Sequence, residues 1–358
     1  MNPSRRGVIV SNVIGILLDL KTYLGILRNQ TGYEHIDYYN QAAVELGMTP
    51  FYMCLKHVNT KSALGLCFEN KNYTLKRLPI PKVIHNRAMT LSPTSLKKLK
   101  AIAKISQVFN GQNRHDKLHI HRLLRASANS SVFLPHTVKY SRENLVKAMN
   151  REDSFFVKPT NSSVGKGIIK VAAMPDGVWQ VWWSNQLPRQ LAQQQTIDFI
   201  DGKVNSQRYL IQKAIPLSMY EGRPYDLRVS VQRGDKGQWG VTGIAGKVAA
   251  VGRHVTNLAK GGEAVRCEKL FLSNGFDPVV KRKQVEEAAI LIAESLSIQI
   301  PSISDVGMDI GIDHQGAIWL IEVNGRDQRY QYKHLNLNKT FYRTYETPML
   351  YAKFLLSK

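Results

Sequence analysis

Asp309, Glu322 and Asn324 fall within one short segment, Asp305 to Asn324, which reads DVGMDIGIDHQGAIWLIEVN. Glu322 and Asn324 are alternate residues of an apolar run, and alternate residues of a strand share a face. Val306 to Ile312 reads as the preceding strand. It closes through Asp313-His314-Gln315-Gly316, whose initial Asp and final Gly suit a type I turn. With His314 and Gln315 as the loop, Asp309 falls diagonally across from Glu322 on the shared face. Two carboxylates and an amide oxygen that only partly fill a coordination shell suit Mg²⁺ held jointly with nucleotide phosphates. The alternative is an edge hairpin with a solvated polar face.

A second constellation supplies a phosphate-binding half. Ser154 to Val171 reads as a strand ending in Lys158-Pro159, a polar loop, and a second strand from about Ile168. Gly165 and Gly167 allow close approach of the loop backbone to a ligand, while Ser162, Ser163 and the loop amides can donate to anionic oxygens. Lys158 brings charge. The loop is neither a Walker A loop, lacking Ser/Thr after its Lys and the early Gly, nor a dinucleotide fingerprint, which needs a following helix. A plain glycine-rich hairpin turn remains the alternative.

In this order, together with Tyr209 to Ile215 (YLIQKAI), Pro224 to Gln232 (PYDLRVSVQ) and Thr256 to Gly262 (TNLAKGG), these segments resemble the ATP-grasp enzymes. Within that superfamily they are most similar to the YheC/YheD-like branch associated with spore coats. Phe109-Asn110 with Asp116-Lys117, and Leu134-Pro135-His136-Thr137, match further segments of that branch, and the resemblance runs from about Pro81 to Tyr332. It implies an α/β (α+β) ATP-grasp fold of three lobes, with the nucleotide clamped between two antiparallel sheets. The lobes fall at 1–105, 106–213 and 214–358, the second a lid and the third carrying the metal site. It implies ATP and Mg²⁺ as cofactors, and ADP-forming ligation of a carboxylate to an amine or similar nucleophile through an acyl phosphate.

The resemblance also assigns roles. Lys117 and Lys158 contact phosphates. Gln212, Lys213, Ala214 and Ile215 form the hinge that reads adenine, with Gln212 in place of the usual Glu and its amide serving the same hydrogen bond. Arg228 stabilises charge on the transferring phosphoryl group. Asp226 shares its strand face and is placed among the cofactor-binding residues, a same-face ion pair being the alternative for these two. Asn257 orients a substrate oxygen, and Gly261-Gly262 permits a turn. Asp309, Glu322 and Asn324 hold the metal. After Asn324 the chain continues GRDQRYQY, unlike many ATP-grasp ligases, which leaves Arg326 and Arg329 available for an acidic group. Two other readings stay open: a noncatalytic ATP-binding scaffold of a spore coat or peptide-modification complex, and a polyanion or RNA binder using ATP for closure.

Composition sets outer bounds. At 358 residues and 43% hydrophobic, the chain suits two or three lobes with buried cores. No run is long enough to span a membrane. Arg5-Arg6 before the partly apolar Gly7 to Leu20 superficially suggests a signal peptide. Ser11, Asn12 and Asp19 interrupt it, so a buried first strand and helix is the reading preferred. Cys54, Cys67 and Cys267 lack metal-type spacing and read as reduced core residues of a cytoplasmic protein; the resemblance adds spore association. A net charge of +22 favours acidic partners. Small-molecule or peptide carboxylates and amines are the substrates expected. Nucleic acid, such as tRNA, is not favoured because no recognised module accompanies the charge. His115, His119 and His121 include an i, i+4 pair, but the Lys/Arg surroundings oppose a zinc ion.

Elements follow from periodicity. Glu34 to Leu46 reads as an amphipathic helix, Pro50 to Cys54 and Ile80 to Arg87 as strands, Asp116 to Arg125 as a helix and Leu134 to Tyr140 as a strand. Ser141 to Met149 is a capped helix, and Val178 to Trp183 a strand whose tryptophans pack. Asp277-Pro278 caps a helix with a core face at Val285, Ala288, Ala289, Ile292 and Leu296, and Pro348 starts a terminal helix.

Overall fold

Strand β1 (Val13–Leu17) is VIGIL, buried at every residue, as a strand paired in parallel on both sides must be. Its neighbours are β2 (Thr49–Met53) and β5 (Val83–Asn86); β3 (Ser62–Glu69), β4 (Asn72–Pro79) and β6 (Gln107–Phe109) complete a first sheet of order β4-β3-β2-β1-β5-β6. Helices α1 (Leu20–Gly25), α2 (Ile36–Glu45) and α3 (Pro93–Ile102) accompany it. The computed structural model describes residues 12–358 apart from 90–91, 163–164, 185, 205–207, 254–255 and 257, and the side chain of Ala259. The expected early strand is therefore seen from Val13, while Gly7 to Ser11 lie outside the described residues.

Helix α4 (Lys117–Arg125), capped by Asp116 Oδ1 on the His119 N–H at 3.0 Å, and α5 (Ala128–Ser131) lead to a second, antiparallel sheet. It comprises β7 (Thr137–Lys139), β8 (Ser154–Pro159), β9 (Ile169–Ala173), β10 (Val178–Trp183), β11 (Arg189–Ala192) and β12 (Tyr209–Lys213), in the order β11-β10-β9-β8-β12-β7. Helices α6 (Arg142–Arg151) and α7 (Gln193–Val204) cover one face, joining Leu145, Ile197 and Ile200 to Phe155, Val157 and Ile211. Trp179 lies in that core, while Trp182 and Trp183 are half-buried.

The third sheet is also antiparallel. It holds β13 (Met219–Tyr220), β14 (Arg223–Arg233), β15 (Trp239–Val248), β16 (Glu263–Val265), β17 (Asp305–Ile312) and β18 (Ile318–Asn324), in the order β16-β15-β14-β17-β18, with β13 on β14. Helices α8 (Cys267–Ser273) and α9 (Pro278–Gln299) back it. Asp277 caps α9, accepting from the Val280 N–H at 2.8 Å, and Val285, Ala288, Ala289, Ile292 and Leu296 are buried as their spacing required. Ile120 and Leu124 of α4 join this core.

After the short α10 (Tyr330–His334), α11 (Asn338–Leu356) returns to pack Phe341, Tyr345 and Met349 beside Tyr39 of α2 and Tyr52 of β2. It starts ten residues before Pro348, which sits inside it and not at its start. A proline there removes one helical bond, to the Thr344 carbonyl. Gln232 Nε2 donates to that carbonyl instead, at 2.8 Å.

Candidate functional site

A cavity of about 820 Å³ separates the second and third sheets. Its lining includes Phe156, Lys158 and Lys170 from β8 and β9 and Asp226, Arg228, Lys247, Asp309, Glu322 and Asn324 from the facing sheet. Alternation puts the latter six on one surface: Arg228 pairs with Asp309, Asp309 with Glu322, Gly307 with Asn324, and Asp226 with Lys247. The register differs in detail from that read in the sequence. Ile312 pairs with Ile318, so the turn takes one residue more, and an irregularity after Asp309 leaves Ile321 as an extra residue. The two offsets together bring Asp309 directly opposite Glu322. With either alone, the two carboxylates would face opposite sides.

Asp309 is strongly held. Its Oδ1 accepts from Arg228 Nε at 2.8 Å and lies 2.9 Å from Lys247 Nζ. Burial opposes its ionisation, but Arg228 and then Lys247 outweigh this and keep the carboxyl far below the usual range. Asp226 differs: burial, offset in part by Lys247 and reinforced by Asp309, pushes it up to about 6. It lies 3.0 Å from Lys247 Nζ and accepts from Thr256 Oγ1. Asp226 and Arg228 therefore do not pair with each other. Arg228 Nη1 instead reaches Oδ1 of the buried Asp327 at 3.3 Å. Glu322 Oε1 accepts from Lys117 Nζ at 2.5 Å.

These contacts engage one oxygen of Asp309 and one of Glu322. With the Asn324 amide, the set is hard oxygen donors on one face, and it fits a divalent cation that shares its shell with phosphate oxygens. Among the described residues no three His, Cys, Asp or Glu side chains gather as a metal cluster, so the amide and outside ligands are needed to fill a shell.

Across the cavity, Lys158 Nζ donates to Gln212 Oε1 at 2.7 Å, and Gln212 Nε2 donates to Thr137 Oγ1 at 3.0 Å. The Gln212 amide thus helps to place Lys158, while one lone pair of Oε1 and one N–H of Nε2 remain for a further partner, and Gln212 lines the cavity. Burial, then the neighbouring Lys117, lower Lys158 to about 8. Lys213, Ala214 and Ile215 line the cavity where the second sheet passes into the third. Ser162 and Gly165 also line it, and Ser162 Oγ donates to the Lys166 carbonyl at 2.7 Å. Gly167, at φ +79°, turns elsewhere: a Cβ there would lie 2.9 Å from Pro159 and 3.2 Å from the Tyr209 hydroxyl. Ser163 and Asn257 lie outside the described residues.

Beyond Asn324 the two arginines part company. Arg329 is 1% exposed and ion-paired with Asp305, with Nη1 3.2 Å from the Tyr39 hydroxyl, so it is not available to an acidic ligand. Arg326 lines the cavity with Nη1 held by Asp19 at 2.7 Å. Lys247 is the clearest residue missed in the sequence. Only the β14–β15 register places it between two carboxylates, and a lysine in an apolar strand offers no local sign of that. Of the histidines, His121 Nε2 lies 3.3 Å from the Pro135 carbonyl. All three cysteines are buried and free.

Residues 106–355 match the family model described as YheC/D like ATP-grasp. Endospore coat-associated protein YheD of Bacillus subtilis (strain 168) is 26% identical over 313 residues, covering 82% of this chain and 67% of its own length. Endospore coat-associated protein YheC of the same organism is 22% identical over 270 residues, 70% of this chain and 72% of its own. Among solved structures, the ATP-grasp ligase PsnB with a minimal precursor aligns with TM-score 0.55 at 12% identity, over 95% of this chain and 98% of that one. D-alanyl-alanine synthetase A of Vibrio cholerae O1 biovar eltor str. N16961 aligns at 0.52 and 14%, over 95% and 98%. D-cycloserine synthetase DcsG aligns at 0.52 and 11%, over 93% and 98%. At these identities the structural likeness establishes the fold, a mixed α/β ATP-grasp fold. The chain belongs to the YheC/D-like ATP-grasp family.

Proposed function

We propose that the protein is an ATP-dependent ligase that activates a carboxylate as its acyl phosphate and joins it to an amine, releasing ADP and phosphate. One observation carries this reading: Asp309, Glu322 and Asn324 share a face opposite Lys158, with Lys117 between them and the cavity open for a nucleotide. The protein's part is to position and to screen. Lys158, placed by Gln212, and Lys117, exchanging Glu322 for phosphate, offset triphosphate charge. Arg228, fixed by Asp309 and Asp327, presents a guanidinium where charge grows on the transferring group. Asp309, Glu322 and Asn324 would hold Mg²⁺, which would supply further charge neutralisation. Lys213, Ala214 and Ile215 offer backbone groups and an apolar side chain to the base. No side-chain nucleophile is required. The nearby ligase structures support this chemistry as a class, and PsnB is solved with Mg and ADP.

ADP release is the test. It should require MgATP, a carboxylate and an amine together, and Glu322→Ala should abolish it while leaving thermal unfolding unchanged. Turnover undiminished in that variant would remove Glu322 from the metal site.

A further inference from the structure

We propose that the acyl substrate is a carboxylate carried within a peptide and not a free amino acid; this rests on the ligase reading and specifies its substrate. After Asn324 the chain alternates. Arg326, Gln328 and Tyr330 line the cavity, while Asp327 and Arg329 are buried at 0% and 1% exposure. Tyr33 of the first lobe also lines this end, its ring centroid 4.9 Å from that of Tyr330. The result is a strip bearing a guanidinium, a carboxamide and a pair of aromatic rings.

A free amino acid would bring an α-ammonium into this space, and a buried ammonium needs a carboxylate partner. Among the described residues the only acidic groups lining the cavity are Asp226, Asp309 and Glu322. Asp226 and Asp309 already hold protein cations, Lys247 on both and Arg228 on Asp309, while Glu322, paired with Lys117 in this structure, is committed to the metal once Lys117 turns to phosphate. None of the residues outside the description is Asp or Glu, so no acidic side chain is hidden there. A peptide group, in contrast, offers one N–H and one C=O, the complement of a side-chain carboxamide. The Gln328 side chain has no hydrogen-bond partner among the described residues, and Arg326 engages only Nη1, leaving Nε and Nη2 for a second carboxylate. The tyrosine pair supplies a flat wall for the peptide chain.

Hydroxylamine isolates this half of the reaction. The γ-phosphoryl bond to ADP breaks as a bond to the carboxylate oxygen forms; hydroxylamine nitrogen then attacks the acyl carbon, phosphate leaves, and the nitrogen loses a proton to give a hydroxamate. The full chain is incubated with MgATP, hydroxylamine and either N-acetylated peptides bearing Asp, Glu or C-terminal carboxylates, or the free amino acids. Hydroxamate should form from peptides only. Gln328→Ala and Tyr330→Ala should each raise the peptide KM by about tenfold, the loss of one good contact, with calorimetric affinity for MgATP unchanged. Free amino acids used as well as peptides, no hydroxamate from any peptide although MgATP binds, or unchanged KM in both variants would overturn the assignment. A folded chain that binds no MgATP would overturn the ligase reading together with it.

Discussion

Under the proposed function, Lys158 would meet a nucleotide with its charge weakened. Burial and Lys117 lower it to about 8, against an ordinary value near 10.4. A triphosphate favours the charged form, so binding above pH 8 must draw a proton onto this lysine, and affinity must fall as pH rises through that value. Calorimetry of MgATP binding at pH 8.5 in buffers of different ionisation enthalpy should show net proton uptake, absent in Lys158→Met. Equal uptake in both proteins would place the titrating group elsewhere. Lys158 itself was legible in the sequence because a lysine-proline strand end before a glycine loop is a local pattern. Lys247 was not, because its role arises only from cross-strand register. Arg329 was misread for a related reason: alternating burial after Asn324 turns it inward to Asp305, and nothing in GRDQRYQY separates it from Arg326.

At the level of elements, the β17–β18 hairpin decides whether three oxygen donors meet. Strand type and face were readable from alternation, whereas the longer turn and the extra residue Ile321 have no composition cue; together they shift the register by two residues and so keep the shared face. Gly307 belongs to this hairpin for a steric reason. A Cβ there would lie 2.3 Å from Asp327 Oδ1, inside the anchor of Arg228. Gly307→Ala should therefore lower stability by about 1–3 kcal/mol, as overpacking does, read as a lower denaturant midpoint at constant m. No change in midpoint would show that Asp327 moves freely. Pro348 shows a second limit of local reading: a proline suggested a helix start, yet Gln232, distant in sequence, accommodates it inside α11.

The whole molecule is tied together at Asp305. This residue of β17 is 0% exposed, ion-paired with Arg329, 3.3 Å from Arg87, which follows β5, and 3.2 Å from His85 of β5, while Arg87 also holds Glu34 at 2.8 Å. Burial works against its charge, but Arg329, His85 and Arg87 keep its pKa far below the usual value. A folded-state pKa below the unfolded one gives stability that is present above about pH 4 and is lost as pH falls toward the depressed value. Asp305→Asn should cost about 3–5 kcal/mol at pH 7, the loss on breaking a buried pair, and should flatten the fall in stability below pH 4. A variant with the native acid profile would exclude Asp305 as its source. Individual strands and helices were readable from apolar periodicity and the α/β plan from the family resemblance, but these joints between the first and third sheets were not, since each links residues far apart in the chain.

The most direct test is calorimetric titration of MgATP into the native chain and into Glu322→Ala, with thermal unfolding confirming that both are folded. The native protein should bind MgATP more tightly than metal-free ATP, and Glu322→Ala should lose that metal-dependent gain. A folded native chain that binds no MgATP, or a variant that keeps the full gain, would contradict a nucleotide and metal site between these two sheets.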